Sequence, residues 1–282
     1  MNTINTYVFS GTGNTHLVSQ KLKEELLNYN FTCNINKITT GEDIFEEADK
    51  IIIAYPIHGF NAPTNVTNFV KNMPVGKSDV YFLKTSGEGL RINNASSYPL
   101  VRILEKKGYR VCGEEHYLMP YNMIFRHSDE MASLMYKTAC DRLKNFAEDV
   151  ASGSVKKVTF PWYAIFIQKI FLVERFGMKL NGKFFTVKHD KCIGCNKCSK
   201  LCPTANITIN NGKFKFGNNC IGCMRCSFNC PKNAIDIGLL NGWKVNGKYN
   251  FSADYKKAKI GKYCKKSYER YFLKNKNNSD TI

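Results

Sequence analysis

Cys192-Ile193-Gly194-Cys195-Asn196-Lys197-Cys198-Ser199-Lys200-Leu201-Cys202-Pro203 is answered further on by Cys220-Ile221-Gly222-Cys223-Met224-Arg225-Cys226-Ser227-Phe228-Asn229-Cys230-Pro231. Both copies read C-x2-C-x2-C-x3-C-P, and together they hold eight of the chain's 12 cysteines. Three thiolates two residues apart can curl around one face of an iron–sulfur cubane, each bonding a different iron. Gly194 and Gly222 relieve the tight loop, whose backbone N–H groups can then point at the sulfurs. Pro203 and Pro231 fix the chain direction after each fourth cysteine. A disulfide framework fits poorly: cysteines at this spacing pair badly with one another, and the first residues lack the basic and apolar regions of an export signal. Zinc sites ordinarily use two Cys-x2-Cys pairs, without the third and fourth cysteine that follow each pair here.

The segment resembles the bacterial-type two-cluster ferredoxins over about residues 183–240. In proteins of this spacing the fourth cysteine crosses over to the other cluster. The resemblance therefore implies two [4Fe–4S] clusters. One would hang on Cys192, Cys195, Cys198 and Cys230, the other on Cys220, Cys223, Cys226 and Cys202. Short β-like stretches at 206–209 and 234–237 follow the two copies, and Asn210-Asn211-Gly212 marks a hairpin turn between them.

A second decisive stretch lies near the N-terminus. Residues 3–9 are apolar with a β-branched bias and predict a strand, which breaks into Ser10-Gly11-Thr12-Gly13-Asn14-Thr15. Val18, Leu22 and Leu26 then recur at helical spacing to about Asn28. A strand entering a loop of glycines and hydroxyls that opens a helix is a phosphate cradle, built from unpaired N–H donors and the positive end of the helix dipole. The dinucleotide fingerprint fails because position 16 is His, and a Walker A loop fails for want of Gly-Lys-Ser/Thr. The remaining pattern is similar to the FMN-phosphate loop of flavodoxins, for which S/T-x-T-G-N-T is the family signature.

Further strands are predicted over Phe31–Ile38, Lys50–Tyr55, Asp79–Thr85 and Tyr109–Met119, with helices over Thr64–Met73, Ala95–Lys107 and Asp129–Ser152. This alternation predicts an α/β fold with a doubly wound parallel sheet. The flavodoxin resemblance implies the strand order 2-1-3-4-5, with FMN at the β1/β3 switch point. It implies flavin contacts from Ser10, Thr12, Gly13, Asn14 and Thr15, from Pro56, Ile57, His58 and Gly59, and from Thr85, Ser86 and Gly87. The loop after the fourth strand offers no aromatic, and its glycines suggest an uncovered ring edge through which the cluster half could approach. The Pro120–Met123 turn could border the same mouth.

Charge divides the chain. Residues 1–150 carry 16 Lys and Arg against 17 Asp and Glu, whereas residues 151–282 carry 25 against 6. The formal +18 thus belongs to the cluster half, and cofactor charges would bring the holoprotein to about +12. Cys33, Cys112, Cys140 and Cys264 sit in mostly apolar contexts and fit reduced thiols in a cytoplasmic protein. After a linker at residues 151–157 comes the most apolar run, Phe160–Val173, interrupted by Gln168 and Lys169. It is too short for a transmembrane span, and a helix packed between two domains is expected, with an interfacial or partner-docking helix as the alternative. The Lys- and Tyr-rich tail brings no nucleic-acid motif.

The whole chain resembles the flavodoxin–ferredoxin fusion proteins of anaerobes. The expected division is an FMN domain at 1–155, an apolar connecting helix at 156–182, a smaller α+β ferredoxin domain at 183–240, and a basic extension at 241–282 without a role. The resemblance implies an electron carrier that relays low-potential electrons between the clusters, FMN and acidic redox partner proteins. A reductase of a small molecule at the flavin is the alternative, with His58, Glu88 or Tyr121 as proton donor. A redox-sensing binding protein is a third class.

Overall fold

Ile51-Ile-Ile-Ala-Tyr55 forms the centre of a sheet, which explains why it has no polar residue on either face. Ile51, Ile53 and Tyr55 point to one side and Ile52 and Ala54 to the other, following the two-residue period of a strand. The computed structural model describes residues 2–40 and 43–279; the last three residues of the basic tail lie outside the described residues.

The N-terminal half runs β1 (Thr3–Val8), α1 (Asn14–Leu27), β2 (Thr32–Lys37), β3 (Lys50–Pro56), α2 (Thr64–Asn72), β4 (Asp79–Ser86), α3 (Tyr98–Lys106), β5 (Arg110–Leu118) and α4 (Asp129–Ser152). The five strands are parallel in the order β2-β1-β3-β4-β5, the flavodoxin-like order. Val18, Leu22 and Leu26 of α1 and Leu143 and Phe146 of α4 fill one face. Val66, Phe69, Leu100 and Leu104 of α2 and α3 fill the other. Helix α4 has the limits its sequence announces. The Ser128 side chain accepts from the Met131 N–H, Asp129 and Glu130 occupy the first turn, and Gly153 ends it in the left-handed conformation. The helix expected from Ala95 begins later. Pro99 sits in its first turn, and Arg91–Ser97 form a 3-10 stretch instead.

The apolar run also departs from expectation. It forms two short helices, α5 (Trp162–Ile170) and α6 (Val173–Gly182), rather than one. Helix α6 lies between the halves, with Arg175 on the Ala62 carbonyl and Asn181 on the Ile237 carbonyl, whereas α5 rests on the first half through Gln168 and Asn61, and most of the large apolar side chains face outward. The cluster module follows as β6 (Phe185–Val187), α7 (Lys197–Lys200), β7 (Ile207–Asn210), β8 (Lys213–Phe216), α8 (Arg225–Phe228) and β9 (Ile235–Ile237). Antiparallel β6–β9 clasps its ends, and β7–β8 is the hairpin expected around Asn211-Gly212. No helix among the described residues is long and apolar enough to cross a membrane.

The tail is part of the fold. Residues after 244 return to the flavodoxin-like half, and α9 (Lys265–Ser279) lies beside α4 and β5. The Tyr271 hydroxyl accepts from the Leu118 N–H at 3.2 Å, and the Tyr249 hydroxyl donates to the Tyr121 carbonyl at 2.7 Å.

A buried charge pair supports the loop after β4. Lys84 Nζ lies 2.6 Å from Glu114 Oε1, with the lysine side chain 1% exposed. Burial lowers the Lys84 pKa and Glu114 opposes that shift. Removing one partner would strand the other charge. Glu114→Gln is expected to destabilise the protein by about 3 kcal/mol in urea denaturation, and Lys84→Met added to it to recover most of that loss.

Candidate flavin and iron–sulfur sites

The first turn of α1 carries no acidic residue and no side-chain cap, so its N–H groups face the loop Ser10–Gly13. Gly13 stands at φ 109°, and its N–H donates to Ser10 Oγ at 3.1 Å. Asn14 Nδ2 donates to the Pro120 carbonyl at 2.8 Å, and Thr15 Oγ1 is 2.8 Å from Thr85 Oγ1. These bonds gather three loops that lie far apart in sequence. Ser10, Gly11, Thr12, Asn14 and Thr15 line one cavity of about 700 Å³ together with Pro56–Gly59 and Thr85–Gly87. Such a volume is of the size that holds a cofactor. An uncapped helix end at one pole and apolar loop walls beyond it fit a phosphorylated, planar ligand. Asn93 Oδ1, on the same wall, is buried without a protein partner. Of the residues expected to touch a flavin, only Gly13 does not line the cavity; it shapes the backbone beside it.

The approach of the two halves differs from the sequence expectation. The cluster half does not enter beside the loop after β4. A β-carbon on Gly87 would stand 2.3 Å from the Tyr121 ring, so the missing side chain admits an aromatic from the next loop. The tail then seals this corner. The Tyr268 hydroxyl donates to the Gly87 carbonyl at 2.6 Å, and Ser267 Oγ accepts from the Gly89 N–H at 2.9 Å. The cluster half instead meets the other two loops. A β-carbon on Gly11 would fall 2.3 Å from the Cys223 carbonyl oxygen. Arg225 donates to the Ser10 carbonyl at 2.7 Å, and its guanidinium lies over the Phe9 ring. Cys220, Ile221 and Gly222 therefore form part of the cavity wall.

The cysteines sort into two groups. Cys192, Cys195, Cys198 and Cys230 line one small pocket. Cys202 stands within electrostatic reach of Cys220, Cys223 and Cys226. Each fourth cysteine thus sits with the other copy's triplet. Among the described residues no three His, Cys, Asp or Glu converge on a point suited to a single ion. The two loops share one backbone, with φ of 66° and 68° at Gly194 and Gly222, and 54° and 56° at Asn196 and Met224. The sulfurs of Cys202 and Cys230 each accept a backbone N–H at 3.2 Å, from Asn206 and Ala234. N–H donors aimed at sulfur suit thiolate ligands of a cluster. Their surroundings differ. Cys195 is exposed, whereas Cys223 is buried in the apolar cluster that contains Phe9 and Tyr55.

Two groups on the cavity wall have shifted proton affinity. Burial raises the Glu88 carboxyl pKa, against hydrogen bonds from the Tyr121 hydroxyl and Asn93. Burial lowers His58 to about 4, so it is neutral at pH 7 and hydrogen-bonded to the backbone at Ile221. Sequence reasoning missed Met178, Trp243 and Tyr263, which also line the cavity.

A family profile described as a 4Fe-4S dicluster domain matches residues 191–235. A polyferredoxin-like protein of Methanocaldococcus jannaschii is 35% identical over 54 residues, 19% of this chain and 33% of that protein. The chain therefore spans about a third of that relative's length. Flavodoxin 2 of Bacillus cereus is 13% identical, covering 54% of this chain and 99% of its own, with a TM-score of 0.40. An NADH:FMN oxidoreductase is 14% identical, covering 56% and 92%, with a TM-score of 0.41. At these scores the strand order, and not the likeness, carries the fold.

Three histidines, His127 buried and His58 and His116 half-buried, generate a pH prediction. Burial holds His58 and His127 to about 4 and His116 to about 3, all below the ordinary 6.5. The unfolded chain then binds these protons first, so stability is full above about pH 6.5 and is lost as pH falls toward 4. The urea midpoint is expected to drop across that window, and His127→Asn to flatten the slope.

The chain thus joins an N-terminal parallel sheet in the flavodoxin-like order 2-1-3-4-5 to a segment, residues 191–235, that matches the 4Fe-4S dicluster domain.

Proposed function

We propose that the chain relays electrons between a protein partner and FMN through two [4Fe–4S] clusters. Ser10–Thr15, Pro56–Gly59 and Thr85–Gly87 would hold FMN. The outer cluster would be bound by Cys192, Cys195, Cys198 and Cys230, and the inner by Cys220, Cys223, Cys226 and Cys202. Iron–sulfur clusters supply single electrons, and a flavin can hold one or two.

The observation that carries this reading is the contact between Gly11 and Cys223. The loop that would hold the inner cluster presses its backbone on the loop that would hold the flavin phosphate. His58 spans the same seam, with its ring near Phe9 and its hydrogen bond at Ile221. A neutral imidazole there adds no charge between the two sites. The outer loop faces solvent, with Ile193 59% exposed, and exposed Lys191, Lys197, Lys200 and Lys232 surround it. This rim suits an acidic redox partner, whose encounter such charges accelerate at low salt.

A second reading is favoured by the opposite wall. Glu88, whose carboxyl pKa is raised by burial and which accepts from the Tyr121 hydroxyl, would be the proton donor to a small acceptor reduced at the flavin. The His58 candidacy weakens, because near pH 7 its imidazole is neutral and lacks the acidic imidazolium proton a donor would give.

Cys195→Ser is expected to remove about half the iron and acid-labile sulfide while leaving FMN bound, and to block electron exchange with a protein partner. Gly11→Val is expected to keep iron content but to lower FMN affinity by tenfold or more, read by flavin fluorescence on dilution. Full loss of FMN in the first variant, or unchanged affinity in the second, would overturn the reading. Turnover of a small acceptor that Glu88→Gln abolishes would favour the reductase.

A further inference from the structure

Helices α5 and α6 seat one face on the protein and leave the other bare. On α5, Ala164 and Gln168 turn inward, and the Gln168 carbonyl accepts from Asn61 Nδ2 at 3.1 Å. Trp162 is 79% and Phe166 61% exposed, and with Tyr163 and Ile170 they occupy the opposite arc. On α6, Met178, Asn181 and Gly182 are buried toward the cluster module. Val173 is 68% and Phe176 69% exposed, and Leu180 continues their stripe. Phe184 extends it, as does exposed Leu239, whose N–H is bonded to Asn181 Oδ1. Trp243, also exposed, stands with Leu239 at the rim of the large cavity.

Ile170, Phe171, Leu172 and Val173 are all exposed, so the two bare faces are continuous along the chain, and exposed apolar surface of this kind marks an interaction site. Its charges indicate what it meets. Residues 156–184 hold six Lys and Arg and a single acidic residue, Glu174. Exposed Lys169 shares the bare arc of α5 with Trp162, two turns before it, and Lys179 and Lys183 flank the stripe of α6. Lysine is depleted from the core of protein interfaces, where its charge would be stranded. At a lipid surface the same residue keeps its stem among apolar groups and lifts its ammonium to the phosphates. Two short helices lying side-on, with Trp, Tyr and Phe beside lysines, have the composition of an interfacial anchor and neither the length nor the hydropathy of a span.

We infer that the outer faces of α5 and α6, with Leu239 and Trp243, dock on an anionic lipid bilayer and turn the cavity mouth toward it.

The test uses the full cofactor-loaded chain and vesicles of phosphatidylglycerol mixed with phosphatidylcholine, against phosphatidylcholine alone. The chain has two Trp, 162 and 243, and both lie in the patch, so emission reports docking without any substitution. Expected are flotation with the anionic vesicles, a blue shift, quenching by brominated acyl chains, and release at high salt. Phe166→Ser and Phe176→Ser should each lower partitioning about tenfold with cofactor absorbance unchanged. Absence of binding, equal binding to phosphatidylcholine alone, or binding that both variants retain would overturn the assignment. So would self-association of the free chain abolished by Phe176→Ser, which would give the patch to a second copy. None of these readouts depends on electron transfer.

Discussion

A carbonyl oxygen of Cys223 occupies the place where residue 11 would carry a β-carbon. Only glycine permits that approach, and it brings two backbones together where two side chains would otherwise stand between them. The contact is reinforced by Arg225, which reaches from the cluster loop to the Ser10 carbonyl and rests on Phe9. Cys223 itself is buried in the same apolar core as Tyr55 and Phe69. The seam is therefore continuous with the hydrophobic interior of the first half, unlike the polar surfaces that ordinarily separate domains on a linker. The cavity depends on it, because residues 220–222 complete a wall that the flavodoxin-like loops leave open.

The strands and helices of the first half were legible because each declares itself locally. Ile51–Tyr55 is apolar on both faces, as a central parallel strand must be, and α4 is marked at both ends by Ser128 and Gly153. The loop Ser10–Thr15 and the cysteine repeats stood out in the sequence because the chemistry proposed for them needs particular residues at fixed spacing. The coverage of Gly87 was not. A glycine reads in sequence as a gap, whereas in space its missing β-carbon is what lets Tyr121 descend on it. That contact joins residues 34 apart and leaves no local pattern.

The tail misled for a related reason. Its lysines suggest a solvated surface, yet Ser267, Tyr268 and Tyr271 are buried on one side of α9. They act through hydroxyls on backbone groups of Gly87, Gly89 and Leu118. Hydropathy counts tyrosine as nearly neutral, so a helix anchored by tyrosines among lysines hides its inner face. The apolar run erred in the other direction. Its hydropathy suggested burial, but the turn at Phe171–Leu172 splits it, and each half has only a narrow inner stripe.

The duplication places one loop in two environments. Gly194 and Gly222, Asn196 and Met224, and Ala205 and Asn233 match within a few degrees of φ. The N–H bonds to the sulfurs of Cys202 and Cys230 are equal at 3.2 Å. Ligand geometry and sulfur hydrogen bonding are thus shared, and they leave solvent exposure and neighbouring charge as the variables that can separate the two sites. The outer loop meets water and lysines, while the inner is enclosed by Met178, Phe9 and the phosphate loop. Enclosure disfavours added negative charge and a cationic rim favours it. Were both copies to hold the clusters proposed for them, any difference in potential between them would arise from where the fold puts each copy, and the flavodoxin-like half, by burying one of them, would be the part that sets it.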